Sequence, residues 1–131
     1  MAHILIVEPD KLLARTYGAA FEHAGYTVTI AHGSQEAVLA ADKRTPDLVV
    51  LELQLAGQDG IAFLHEFHSY AEWWSVPVVI QSSAAPAVVE SVGTALKAEL
   101  GVVAILYKTT TTLKQLLRVI RDALSSRSAP V

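Results

Sequence analysis

The sequence contains no cysteine. Disulfides, thiolate metal sites and cysteine nucleophiles are therefore excluded. Charge is sparse as well: 18% of the residues are charged against 52% apolar, and the net charge is −3. That balance excludes a disordered chain and leaves no basic footprint for direct nucleic-acid binding. No apolar run reaches the roughly 18 residues of a membrane-spanning helix. His3-Ile4-Leu5-Ile6-Val7 is too short for a signal peptide and lacks its basic start. Internal repeats and low-complexity segments are also missing. What remains is a chain of 131 residues, enough for one domain with a proper core, for which a cytoplasmic setting is the default.

The few prolines and glycines punctuate a regular alternation. Ile4–Val7 is a continuous apolar run, as in a strand buried on both faces. Asp10 is placed to cap a helix over 11–24 that carries Leu13, Tyr17, Phe21 and Ala24 on one stripe. Gly25 ends it. Residues 26–30 alternate like a half-buried or edge strand, and Ser34 is expected to cap a short helix over 35–42. The third strand covers 47–52, and Asp59-Gly60 opens a helix to about residue 70. A fourth strand over 78–81 leads to a helix over 86–100 with Pro86 in its first turn and Gly93 inside it. Gly101 closes that helix, a fifth strand covers 102–107, and Thr111 or Thr112 caps a last helix to about residue 125. The order βαβαβαβαβα predicts an α/β fold, a doubly wound five-stranded parallel sheet with helices on both faces, over residues 1–124. Residues 125–131 are expected to be a flexible tail or the start of a linker.

In such a sheet, chemistry gathers at the carboxyl ends of the strands. The first strand ends at Glu8, the third at Glu52, the fourth at Ser82 and the fifth at Lys108. Two carboxylates, a hydroxyl and a lysine on one edge suit a divalent-metal and phosphoryl site. Carboxylates hold a hard cation through oxygen, and lysine and hydroxyl bind phosphoryl oxygens.

The segments ILIVEPD, PDLVVLELQLAGQDG, PVVIQSSA and YK, in this order and spacing, resemble the receiver (CheY-like) domain of two-component response regulators over about residues 3–124. The resemblance implies the flavodoxin-like fold of that family and a part in phosphorelay signal transduction. It also implies a protein partner on the face of the fourth helix, fifth strand and fifth helix, and a histidine kinase as phosphodonor. Glu8 matches the first acid of the family's magnesium pair, and Gln54 the residue whose backbone carbonyl completes the metal shell. Glu52 falls on the phosphoacceptor, and Ser82 and Lys108 on the phosphate-binding pair.

The departures from the family cluster at this site. Glu52 replaces the phosphoacceptor aspartate. Pro9 stands where the second acid belongs, with Asp10 one position late as the only substitute ligand. Ala56 and Thr109 replace customary prolines. Ile105 holds the place of a switching aromatic, and Tyr107 is expected on the other face or shifted. The extra methylene sets the Glu52 carboxylate about 1.5 Å further out, which is poor placement for in-line phosphoryl transfer. Loss of one acid weakens magnesium binding. The longer side chain is instead expected to reach Lys108 and occupy the phosphoryl position, as a mimic of the phosphorylated state or a lock on an inactive one.

The sequence thus points to a non-enzymatic, pseudo-receiver signalling protein that acts by protein contact without phosphorylation and needs no cofactor. The rivals are an active Mg²⁺-dependent phosphoacceptor and a flavodoxin-like domain holding a small anion or nucleotide. The second lacks a glycine-rich cradle. Other candidates carry less. His65 and His68 stand three apart on the third helix without a third ligand, so a solvated face is expected. Trp73-Trp74 is either a binding hot spot or a cover for the sheet. Val88 or Val89, with Val119, is expected to be left exposed as a partner or homodimer face.

Overall fold

In a computed structural model, described over residues 2–55 and 58–128, the expected alternation is present with one addition. The strands are β1 (His3–Val7), β2 (Thr27–Ala31), β3 (Leu48–Leu51), β4 (Gln54–Leu55), β5 (Gln58–Asp59), β6 (Val78–Ser82) and β7 (Val102–Tyr107). The helices are α1 (Lys11–His23), α2 (Ser34–Lys43), α3 (Gly60–Ser69), α4 (Pro86–Glu99) and α5 (Leu113–Ser128). Five parallel strands form one sheet in the order β2-β1-β3-β6-β7. The addition is the antiparallel β4–β5 hairpin, in a stretch expected to be loop.

Alternating residues of the central strands feed two cores, which is why those strands read as unbroken apolar runs. Leu5, Val7, Val49, Leu51, Val78 and Ile80 pack with α2, α3 and α4. Ile4, Ile6, Leu48, Val50 and Val79 pack with Tyr17 and Phe21 of α1 and Leu116 and Ile120 of α5. β2 lies at one edge and is half-buried, in line with its alternating sequence.

Local chemistry sets the helix ends. Asp10 accepts from Leu13 N at 3.0 Å at the start of α1. Thr112 and Gln115 form a reciprocal cap before α5. Gly25 (φ 102°) and Gly101 (φ 67°) take the left-handed conformation that ends α1 and α4. Several expectations need correction. Gly33, not Ser34, caps α2, and Ser34 is its buried first residue. α5 continues to Ser128, so the helix takes in residues expected to be tail; 129–131 lie outside the described residues. Trp73 is buried against Phe67 and Tyr70, whereas Trp74 is 66% exposed, so the pair divides between the two readings. His65 is exposed, but His68 is not on a solvated face: it is half-buried and donates from Nε2 to Val76 O at 3.1 Å. Burial holds its pKa below the ordinary value. Val89 is buried rather than exposed, Val119 is half-buried, and the side chain of Val88 lies outside the described residues.

Gly60 fixes the loop that follows β3. Its N–H donates to Leu53 O at 2.8 Å, and a Cβ on it would lie 2.7 Å from Leu53 Cα and 2.8 Å from Leu53 O. Gly93 has no such constraint, since its Cβ would meet only Ile105 Cδ1 at 3.5 Å. Gly60→Ala is therefore expected to destabilise the domain by about 1–3 kcal/mol. Gly93→Ala is expected to stabilise it by about 0.5–1 kcal/mol. Urea unfolding of both variants checks the contrast.

Candidate functional site

Parallel register brings the strand ends together. Val7 pairs with Leu51, so Glu8 and Glu52 leave the sheet side by side. Glu52 N donates to Val7 O, and Lys108 N donates to Ser82 O at 2.8 Å. The side chains then converge. Lys108 Nζ lies 2.6 Å from Glu8 Oε1 and 2.8 Å from Glu52 Oε1. Glu8 and Glu52 are 3% and 2% exposed. The extra methylene of Glu52 thus reaches Lys108, and Glu8 joins the pair from the other side.

The remaining carboxylate oxygens are engaged by backbone donors. Glu52 Oε1 also accepts from Ser83 N at 2.9 Å, and Oε2 from Gln54 N at 3.0 Å. Glu8 Oε2 reaches past Pro9, which has no N–H to offer, to Asp10 N at 3.0 Å. Burial pushes the Glu52 carboxyl upward, but the bonds from Lys108, Ser83 and Gln54 more than offset this and hold its pKa below the ordinary value. Burial pulls the Lys108 ammonium down, and its bonds to Glu52 and Glu8 raise its pKa above the ordinary value.

The other expected site residues are nearby in different roles. Ser82 is buried, and its Oγ accepts from Ala84 N at 3.0 Å, shaping the loop after β6. Gln54 Oε1 accepts from Ser83 Oγ at 2.9 Å, which ties the β3 and β6 loops together. Asp10, the substitute metal ligand, is exposed and turned to cap α1. The carboxylates available to a divalent ion are thus Glu8 and Glu52, and the Lys108 ammonium lies between them. No cluster of three or more His, Asp or Glu suited to a metal is present among the described residues. Ala56 lies outside those residues.

In the sequence Ser83 stands out only for its hydroxyl, and His32 is not singled out. Ser83 supplies a backbone donor, which side-chain identity does not reveal. His32 follows β2, and its Nδ1 lies 3.0 Å from Glu8 O; only an N–H can pair with a carbonyl, so that nitrogen is the protonated one. Reading the end of β2 as the other strand ends were read would have found it. Tyr107 also differs from expectation. Positions two apart share a face of a strand, and Tyr107 packs with Ile105 on the α4 side, where both line a cleft with Glu90, Gly93, Thr94 and Lys97.

Lys108→Met is expected to destabilise the fold by about 3 kcal/mol, because two buried carboxylates then face each other unpaired. Adding Glu52→Gln should recover part of the loss, as urea unfolding of the four-member cycle will show. The pH dependence follows from the shifts. Glu52 titrates below its ordinary 4.5 in the fold, so its contribution is complete above that value and is lost as pH falls through the folded pKa. Lys108 titrates above its ordinary 10.5, so its contribution is complete below that value and is lost as pH rises through the folded pKa. Wild type should show both losses, and the double variant should show shallower ones.

The known proteins that this chain resembles share the architecture. The response regulator receiver domain family matches residues 4–121. The KDP operon transcriptional regulatory protein KdpE of Escherichia coli is 36% identical over 83 residues, covering 63% of this chain and 36% of that protein. The transcriptional regulatory protein YkoG of Bacillus subtilis is 40% identical over 62 residues, 47% of this chain and 27% of that one. The chain therefore spans about a third or less of these relatives. A CheY-like receiver domain protein from Methanospirillum hungatei superposes with a TM-score of 0.84 at 20% identity, covering 97% of this chain and 96% of that one. CheY4 of Vibrio cholerae gives 0.82 at 20%, covering 94% and 98%; at these identities the likeness concerns the fold. With a family match over nearly its whole length, on a five-stranded sheet whose strand ends carry Glu8, Glu52, Ser82 and Lys108, the chain belongs to the receiver-domain family of two-component response regulators.

Proposed function

We propose that this receiver domain signals without being phosphorylated, through protein–protein contact, with its own side chains filling the phosphoryl site. The observation that carries this reading is Lys108 Nζ bonded to Glu8 at 2.6 Å and Glu52 at 2.8 Å. Three consequences support it. Both Glu52 oxygens are tied down, Oε1 by Lys108 and Ser83 N and Oε2 by Gln54 N, so the carboxylate is held in a fixed orientation and must give up bonds to turn toward phosphorus. The lysine that would bind the incoming phosphoryl group is paired. Mg²⁺, which demands near-octahedral oxygen ligation, finds two carboxylates with an ammonium ion between them. No catalytic activity and no resident metal are assigned.

The surface proposed for partner contact is that of α4, β7 and α5, which a second copy of the chain is also able to use. Val103, the extra residue where the β6–β7 register shifts, is 50% exposed there. Glu52 reaches that surface through β6 and β7, since Ser82 pairs with Tyr107 and Tyr107 packs toward α4. The Glu52–Lys108 pair reproduces the charge contact of a phosphorylated receiver incompletely, because a carboxylate has fewer oxygens and less charge than a phosphoryl group. A cytoplasmic setting is the one proposed for this cysteine-free signalling domain.

The test is incubation with a small phosphodonor such as acetyl phosphate and Mg²⁺, followed by mass spectrometry at neutral pH. The expected outcome is no labile phosphoryl adduct. An adduct that forms on the wild type and is lost in Glu52→Gln would overturn the reading in favour of an active phosphoacceptor.

A further inference from the structure

One cleft meets the ion triad at Lys108. It has a volume of about 270 Å³ and lies between α1 and the start of α5. Leu13, Leu113 and Leu116 supply its apolar walls, and Tyr17, Gln81 and Lys108 are among its polar groups. Gln81 is unusual. It stands on β6, 3% exposed, on the face turned to the α1–α5 core. Its Nε2 donates to the Tyr17 hydroxyl at 3.3 Å, while its Oε1 is buried without a hydrogen-bond partner. Turning the amide over would let the hydroxyl donate to Oε1 and leave Nε2 unpaired instead. Either way one end of a buried amide is unsatisfied, which opposes folding. The terminal torsion of glutamine is soft, so that end can turn toward a group entering the cleft.

We propose that this cleft binds a small uncharged molecule with an apolar body and one hydroxyl, the hydroxyl donating to Gln81 Oε1 or, with the amide turned over, accepting from Nε2, and the body lying against the leucines. Size and charge both select this class. An apolar cavity of about 150 Å³ is enough for benzene, so this cleft holds a ring with a polar substituent. An anion gains little, because Lys108 is already bonded to two carboxylates. Lys108 belongs to both the cleft and the triad, so occupancy changes the surroundings of the triad directly. The binding stands independently of the phosphorylation-free reading. Its meaning as the signal that a receiver with a filled phosphoryl site responds to rests on that reading.

The experiment is a titration of the isotope-labelled chain with benzyl alcohol, with toluene and benzoate as comparators, followed by ¹H–¹⁵N correlation spectra. Benzyl alcohol is expected to shift the Gln81 side-chain amide, the Leu13 and Leu113 amides and the Lys108 ammonium with one saturable midpoint. Toluene should bind roughly three- to tenfold more weakly, the worth of one neutral hydrogen bond, and benzoate should be weaker than benzyl alcohol. Gln81→Leu should erase the preference for benzyl alcohol over toluene while keeping a folded spectrum; Gln81→Met is the second variant if leucine disturbs the core. Absence of saturable shifts at these positions, equal binding of toluene, or a preference that survives in the folded variant overturns the proposal. A phosphoryl adduct on Glu52 would overturn the proposed function without bearing on whether the unmodified chain binds benzyl alcohol.

Discussion

Lys108 carries one positive charge between two almost fully buried carboxylates, and the carboxyl edge of the sheet is arranged around that contact. Neither glutamate tolerates burial alone, since an unpaired ion in a low-dielectric interior is costly. The ammonium bonds to both, and backbone N–H groups of Asp10, Gln54 and Ser83 take further lone pairs. Each of those donors follows β1, β3 or β6 within a few residues, Gln54 as the first residue of β4. The ion triad therefore orders three loops at once, and the loops fix the triad in return. The pKa directions agree with this mutual dependence, with Glu52 held below and Lys108 above the ordinary value despite burial that works against both.

The sheet makes the contact inevitable once the strand ends are chosen. Parallel pairing of Val7 with Leu51 and of Ser82 with Tyr107 delivers Glu8 beside Glu52 and Lys108 beside the β6 loop. The Leu53 backbone against Gly60 then sets how tightly the chain returns to α3. Residues separated by up to 100 positions meet because of strand order, with no local sequence signal for their pairing.

What was legible in the sequence follows from that division. Continuous apolar runs gave β1 and β3, because strands buried on both faces leave no polar positions. Asp10, Gly25, Pro86, Gly101 and Thr112 marked helix ends through their own backbone chemistry. The reach of Glu52 to Lys108 was legible from one methylene. The involvement of Glu8 in the same contact was not, because side-chain convergence depends on register. Nor was the contribution of Ser83, whose backbone N–H any non-proline residue would supply. Ser34 misled because a serine before a helix resembles a cap, yet Gly33 takes the cap position and Ser34 enters the first turn. The α5 extension was hidden by serines that read as tail. Tyr107 was misplaced for a simpler reason: positions two apart on a strand share a face, so it follows Ile105 toward α4.

A receiver is useful as a switch only if its site has two states of comparable free energy. In this chain the cation that would stabilise a transferred phosphoryl group, Lys108, is already bonded to Glu8 and Glu52. A transferred phosphoryl group would have to displace those bonds and leave Glu8 buried with its partner drawn away. On the proposed function, the contact that stabilises the fold is also what opposes covalent modification. Only an event that changes the surroundings of Lys108 without breaking both pairs can act on the site at modest cost. The α1–α5 cleft proposed above, with an unsatisfied amide at Gln81 and Lys108 in its wall, would provide that access.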